Sequence, residues 1–177
     1  KVFVQEYSQG KPYKPVAVVG DAEDTGTIVT FHPDPEIFQV TTVYKYDTLA
    51  ARLRELAYLN KGIHLSLTDK RKLINDIDEN GNELETTHYR SDIFYSKEGL
   101  REFVDYLDGG AEKLIESPVY LETDKIIPIE IALQYNTSYT EKIYSYVNNI
   151  NTIEGGTHLQ GFKMGLTRTL KNYADKQ

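Results

Sequence analysis

The chain has 177 residues, a formal net charge of −7 and no cysteine. Its length suits one domain or parts of two, and the absence of cysteine excludes disulfides, Cys-ligated zinc and a thiol nucleophile. The negative charge argues against a protein that coats nucleic acid through a broad positive field. No apolar run is long enough for a membrane span, so none is predicted.

The N-terminal region is predicted to form an antiparallel sheet. Residues 1–8 and 15–19 have the composition of strands and are separated by a turn at Gln9-Gly10. A third strand is predicted over residues 26–31, ended by Pro33, because proline cannot donate to a strand ladder.

The first helix is predicted over residues 47–59. Asp47 is a favourable N-cap, and Leu49, Leu53 and Leu56 share one helical face. Residues 63–68 then alternate between apolar and polar side chains, which predicts a strand.

A surface hairpin is predicted over residues 69–92, returning through residues 86–94. Asn80-Gly81 favours a type I′ turn, in which both central residues have positive φ. The same segment resembles the start of a calcium loop, with Asp76, Asp78 and Asn80 at alternate positions. Thr87 stands where such a loop needs a bidentate glutamate, so the hairpin is the preferred interpretation and calcium binding the alternative.

The second half is predicted to mix helices and strands in the same way. A helix over residues 98–107 has Ser96 as its expected cap. Strands are predicted over residues 118–123, 127–135 and 142–148, and a last helix runs from about residue 158 to the end.

The last helix carries the clearest local pattern of the chain. Thr157 and Gln160 have the spacing of a capping box. A buried apolar stripe is predicted from Leu159, Phe162, Leu166, Leu170 and Tyr173. Off that stripe lie the basic residues Lys163, Arg168, Lys171 and Lys176. They favour a phosphate-bearing partner, or alternatively a solvated face that complements the helix dipole.

The residues alone therefore predict an α+β fold, with two halves that join near residues 95–99. No glycine-rich phosphate loop, catalytic triad or metal-ligand cluster stands out, so neither catalytic nor metal-binding residues are predicted.

Several separated motifs resemble those of a known family. Residues 25–38 resemble its segment T-G-T-x-V-x-F-x-P-D-x-x-I-F, and residues 52–62 resemble its helix R-L-R-E-L-A-F-L-N-K-G. Gly99 and Phe103-Val104 resemble its E-G-G-x-x-x-F-V helix, with Leu100 in place of one glycine. Residues 148–158 resemble its N-N-I-x-T-x-E-G-G-T-H motif. The family that these motifs resemble is DNA gyrase B, and topoisomerase IV has a closely related B-type subunit.

The resemblance implies a division of the chain into two domain pieces. Residues 1–95 would be the C-terminal part of a GHKL-type ATPase domain. Residues 96–177 would be the N-terminal part of a transducer domain that resembles ribosomal protein S5 domain 2. The family's catalytic glutamate, magnesium-binding asparagine and ATP lid would precede Lys1, and its γ-phosphate lysine would follow Gln177. We therefore expect this piece of a longer protein neither to bind ATP tightly nor to hydrolyse it.

The resemblance also implies site residues. Thr27 and Val29 would line the adenine pocket, where the threonine helps a water and an upstream aspartate to recognise the base. Lys163 would line the cavity through which DNA passes between protomers, and Arg168 would face the same surface.

The parent protein implied by the resemblance is a cytoplasmic type II topoisomerase. ATP and Mg²⁺ would be its cofactors. Its partners would be the gyrase A subunit, a second gyrase B protomer in an A2B2 assembly, and double-stranded DNA, with no membrane. ATP-dependent closure of the two gyrase B protomers would drive strand passage and negative supercoiling. The alternatives are the B-type subunit of topoisomerase IV and a non-enzymatic α+β module that binds nucleic acid.

Overall fold

Two short antiparallel ladders form the beginning of the chain. In the computed structural model, which describes residues 1–177, β1 (Val2–Val4) pairs with β4 (Ala17–Gly20), and β2 (Tyr7–Ser8) pairs with β3 (Lys11–Pro12). Gln9 and Gly10, with φ of 49° and 77°, form the turn between β2 and β3. The predicted strands over residues 1–8 and 15–19 are thus confirmed, the first of them interrupted at residues 5 and 6.

The predicted third strand over residues 26–31 is wrong. Residues 21–45 contain neither helix nor strand. A strand needs a neighbouring backbone that satisfies its N–H and C=O groups, and no segment of the chain pairs with this one. Its apolar side chains are accordingly exposed, with Ile28 at 95% and Phe31 at 65%.

Packing divides the chain into two units, Lys1–Lys45 and Tyr46–Gln177. The second unit begins with α1 (Tyr46–Leu59), which packs on the hairpin of β5 (Leu65–Ile77) and β6 (Glu83–Phe94). These elements confirm the first predicted helix, the strand that follows it and the hairpin. The core between them consists of Tyr46, Ala50, Leu53, Ala57, Leu65, Leu67 and Phe94. The predicted domain boundary after residue 95 remains a prediction.

The tip of the β5–β6 hairpin differs from the type I′ expectation. Gly81 has φ of 86°, but Asn80 is not among the residues with positive φ. The Gly81 amide donates to the Asp78 carbonyl at 3.0 Å, and the Asp78 carboxylate accepts from the amides of Asn80 and Asn82. The Asp78 side chain thus favours an ordinary turn followed by one left-handed glycine.

The remaining elements alternate between helices and short hairpins. They are α2 (Leu100–Asp108), β7 (Val119–Thr123), β8 (Ile129–Leu133), β9 (Tyr146–Val147), β10 (Ile150–Asn151) and α3 (Thr157–Ala174). The predicted strand over residues 142–148 is shorter than expected, because Asn148 and Asn149 have φ of 49° and 65° and turn the chain back on itself. Gly99, not Ser96, is the N-cap residue of α2; the Ser96 hydroxyl instead accepts a hydrogen bond from the Gly99 amide.

The helix α3 is less buried than its sequence pattern predicts. Leu159, Phe162 and Leu166 are half-buried, but Leu170 and Tyr173 are 55% and 65% exposed. The predicted stripe is therefore wrong in its second half, which no element of the chain covers. The capping box is also wrong, because Gly156 is the N-cap residue and no side chain caps this end. None of the three helices is long and apolar enough to cross a membrane.

Candidate nucleotide and nucleic-acid sites

Thr27 and Val29, the residues predicted to contact adenine, lie in the irregular segment of the first unit. Both are exposed, Val29 to 75%. An open cleft of this unit lies elsewhere, lined by Gln5, Tyr7, Pro12, Tyr13, Lys14 and Pro15. Thr27 and Val29 are thus open to solvent, and their role in nucleotide binding remains a prediction.

The predicted DNA-facing residues lie on α3, which contains no acidic residue between Thr157 and Ala174. The Lys163 side chain is 50% exposed, and its ammonium lies 3.7 Å from the Glu141 carboxylate. An exposed ion pair at this distance contributes little, so the Lys163 charge stays accessible to another anion. Arg168 is exposed a little more than one turn further along the helix. The structure thus leaves this helix with an accessible positive charge.

The structure also brings together residues of two motifs that lie far apart in the sequence. Arg52 Nη2 donates to the Asn149 carbonyl at 2.7 Å, and Asn149 Nδ2 donates to Asn60 Oδ1 at 3.1 Å. Arg52 Nη1 also lies 2.8 Å from Glu55. Burial raises the pKa of Tyr146, and the neighbouring Glu55 carboxylate raises it further. Sequence reasoning missed these contacts, although the two motifs that contain Arg52, Asn60 and Asn149 were recognisable.

A second polar cluster ties the end of α1 to the β7–β8 hairpin. Lys61 Nζ lies 3.2 Å from Glu122, and the Tyr120 hydroxyl lies 2.9 Å from Glu122 and 2.7 Å from Glu130, so that its one proton is available to either carboxylate. Desolvation and these carboxylates raise the pKa of Tyr120. Hydrogen bonds from Tyr120 and Lys61 lower the pKa of Glu122. Because both acidic groups are engaged with neighbours, this cluster is suited to holding elements together.

The calcium alternative is not supported by the geometry of the hairpin tip. The Asp78 carboxylate accepts from Asn82 and Asn80, which lowers the pKa of Asp78, with the Asn82 side chain as the largest cause. Asp76 is bonded to His88 across the hairpin. No group of three or more histidine, aspartate or glutamate residues in the chain is arranged to hold a metal ion.

Comparison with known proteins identifies the family. The family described as DNA gyrase B matches residues 99–177. The DNA gyrase B protein of Eisenibacter elegans is 54% identical over 177 residues, which are 99% of this chain, and that of Clostridium acetobutylicum is 46% identical over the same share. Residues 99–177 match the DNA gyrase B family, and the whole chain is similar to a segment of gyrase B proteins. It spans 35% of the first relative and 25% of the second.

Solved gyrase B structures have the same fold. The 43K ATPase domain of Thermus thermophilus gyrase B, solved with an aminocoumarin, is 34% identical with a TM-score of 0.76. The match covers 98% of this chain and 44% of that one. The gyrase B structure from Myxococcus xanthus, at 20% identity and a TM-score of 0.75, supports the fold alone. The expected α+β fold of a gyrase B is thus confirmed, and the topoisomerase IV alternative is not favoured.

Proposed function

We propose that the chain serves within a longer gyrase B protein that uses ATP to drive strand passage and negative supercoiling of double-stranded DNA. The observation that carries this proposal is the alignment of 99% of the chain with a gyrase B protein at 54% identity. The match to a structure described as an ATPase domain, over 98% of the chain, supports ATP as the nucleotide. Mg²⁺ would accompany ATP in the parent.

Within that protein, residues 1–95 would complete the nucleotide domain and residues 96–177 would begin the transducer. Thr27 and Val29 would contribute a hydroxyl and an apolar surface to the adenine pocket, and their exposure leaves both side chains open to such contacts. The remaining walls of that pocket, and the residues that hydrolyse ATP, would come from other parts of the parent. The chain by itself would therefore be inactive.

The DNA contact would be made by α3. Lys163 and Arg168 offer accessible charge on a helix without acidic residues, which suits a phosphate backbone even in a chain of net charge −7. The further partners would be the gyrase A subunit, which would supply the DNA-cleaving tyrosine, and a second gyrase B protomer. The assembly would act in the cytoplasm.

The nucleotide part of the proposal is tested by calorimetry and by steady-state kinetics. We expect the 177-residue chain to show no micromolar ATP binding, whereas the full-length protein hydrolyses ATP. In the full-length protein, Thr27→Ala should raise the KM for ATP about tenfold, because a buried hydrogen bond is worth roughly that factor. Thr30→Ala, in the same exposed segment, should leave KM unchanged. Micromolar ATP binding by the chain alone, or a full-length protein without ATPase activity, would contradict the proposal.

The DNA part is tested by the salt dependence of binding to duplex DNA in the full-length protein. Lys163→Ala should weaken binding and reduce the slope of log affinity against log salt by about 1, as expected for one lost phosphate contact. Lys125→Ala removes the same charge from the exposed β7–β8 connection and should change neither quantity. Equal slopes for the two variants would rule out a phosphate contact at Lys163.

A further inference from the structure

The turn between β9 and β10 makes two hydrogen bonds that involve side chains. One joins it to Arg52 of α1, and the other joins it to Asn60, the residue that follows α1. Arg52 donates to the Asn149 carbonyl at 2.7 Å, and the Asn149 amide donates to Asn60 at 3.1 Å. Asn60 Nδ2 in turn donates to the Leu56 carbonyl at 2.8 Å, which leaves its amide oxygen free to accept from Asn149. We call Arg52, Asn60 and Asn149 the Asn149 clasp.

The clasp has features of a contact that fixes orientation. The Arg52 guanidinium also lies 2.8 Å from the Glu55 carboxylate through its other terminal nitrogen, and this ion pair restricts the orientation of the arginine. A hydrogen bond from a charged donor is about twice as strong as a neutral one. Asn149 has φ of 65°, which a tight two-residue turn requires, and the clasp engages both its side chain and its carbonyl.

A continuous series of hydrogen bonds leads from this turn to the start of α3. Beyond β10, the Thr152 amide donates to the Ser145 carbonyl at 2.8 Å, and the two hydroxyls lie 2.6 Å apart. The Gly155 amide donates to the Thr152 carbonyl at 2.7 Å, and the Thr152 hydroxyl lies 3.3 Å from His158 Nε2 in the first turn of α3. Because α3 has no fully buried residue, these bonds act together with the half-buried Leu159, Phe162 and Leu166 in setting its direction.

The structure assigns Arg52 and Asn60 a positioning role: through the Asn149 clasp they fix the β9–β10 hairpin, and with it the direction in which α3 presents Lys163 and Arg168. These residues do not touch the partner of α3. Only the identity of the partner of α3, which is DNA, rests on the proposed function. The clasp itself can be tested without DNA.

The first test is amide hydrogen exchange in the 177-residue chain, read at Thr152, Gly155 and Gln160. Arg52→Ala should accelerate exchange at these amides about tenfold, the factor expected for a lost charged hydrogen bond, and leave the β5–β6 amides unchanged. Arg52→Lys should give an intermediate effect. The matched control is Arg54→Ala, on the same helix, where the guanidinium lies 5.5 and 5.7 Å from the ring centroids of Phe94 and Tyr106.

A double-mutant cycle tests the second contact of the clasp separately. Asn149→Gly removes only the bond to Asn60, since glycine keeps the carbonyl that Arg52 binds and tolerates the positive φ. Asn149→Gly should accelerate exchange about threefold, and the double variant should exchange no faster than Asn60→Ala, which also loses the bond to the Leu56 carbonyl. Additive effects would show that the two side chains do not act together.

The outcomes separate this inference from the proposed function. Equal exchange profiles for Arg52→Ala and Arg54→Ala, or acceleration that extends equally to β5–β6, would overturn the positioning role. If the unmodified full-length protein fails to bind duplex DNA, the proposed function loses its DNA contact, and the exchange data still decide whether the clasp orients α3. If the positioning role of the clasp and the DNA contact of α3 both hold, Arg52→Ala should weaken DNA binding more than Arg54→Ala, although each removes one positive charge.

Discussion

Gly99, at the start of α2, lies close to the residues at the end of α1. It is buried, its φ is 62°, and a Cβ placed there would lie 3.2 Å from both the Lys61 Cβ and the Tyr58 carbonyl. The neighbouring Ser96 hydroxyl accepts a hydrogen bond from the Gly99 amide at 2.8 Å. Both the backbone conformation and the available space therefore call for glycine at this position.

Alanine substitutions separate these two requirements. Gly109 also has positive φ, at 66°, but a Cβ there would meet nothing within 4 Å. Gly109→Ala should lower the free energy of unfolding by about 1 kcal/mol, the conformational cost alone. Gly99→Ala should lower it by about 2–4 kcal/mol, because its ψ of −120° lies outside the left-handed helical region that Gly109 occupies and overpacking against backbone is added. Urea denaturation of both variants measures the difference, and equal losses would show that space at Gly99 is not limiting.

At the scale of the element, α3 is anchored at one end. Leu159 is half-buried and packs against Gly155, whose added Cβ would lie 3.2 Å from the Leu159 side chain. Leu170 and Tyr173, by contrast, are mostly exposed. The first turns of the helix therefore carry most of its packing energy, while the later turns depend on the helical hydrogen bonds.

Truncating the two leucines should give unequal results in the 177-residue chain. Leu159→Ala should lower the free energy of unfolding by about 1–2 kcal/mol, in proportion to the apolar area it buries. Leu170→Ala should change it by less than about 0.5 kcal/mol, since alanine has good helix propensity and little contact is lost. Thermal or urea unfolding followed by circular dichroism measures both. A Leu170→Ala loss as large as that of Leu159→Ala would mean that the second half of α3 is covered.

Local patterns predicted those elements whose partners lie nearby in the sequence. The apolar spacing of α1 and the alternation at the start of β5 were sufficient because each packs on the other. The strand predicted from composition over residues 26–31 is wrong, because composition does not show whether a neighbouring strand is available for pairing. Thr157 has a capping sequence, but the helix starts one residue earlier than a Thr157 cap requires.

For the candidate site too, local sequence patterns supply only part of the prediction. Thr27 and Val29 came from motif resemblance alone, whereas Lys163 and Arg168 also stood out as basic residues off the apolar stripe of the last helix. The contact of Arg52 with Asn149 could not be predicted from periodicity, because the two residues are 97 positions apart and the arginine bonds a backbone carbonyl, which every residue offers.

At the scale of the whole molecule, burial is unevenly distributed. The buried side chains are Tyr46, Ala50, Ala57, Phe94, Ser96 and Phe103, and all of them belong to the unit Tyr46–Gln177. The unit Lys1–Lys45 has no buried residue and only short ladders. Resistance to local opening should therefore be concentrated in the second unit.

Limited chymotrypsin digestion should reveal this difference. The first cuts should follow Phe31, Phe38 or Tyr44, which are 65%, 56% and 46% exposed in the irregular segment. Products that start near residue 46 should stay uncut after Phe94 and Phe103, which are only 5% and 6% exposed, although the exposed Tyr139 offers a later site in the second unit. Intact-mass spectrometry over a time course identifies the products. Early cleavage after Phe94 or Phe103 would contradict this distribution of stability.

The long sequence separation across the Asn149 clasp has a consequence for the growing chain on the ribosome. At about 5–20 residues per second, the 97 positions between Arg52 and Asn149 correspond to roughly 5–20 s of synthesis. During this interval α1 can already dock its apolar face on β5 and β6, while Arg52 and Asn60, which await the turn, end in a guanidinium and an amide. Both groups are polar and can bind water, so the unformed clasp itself adds no apolar surface during this interval.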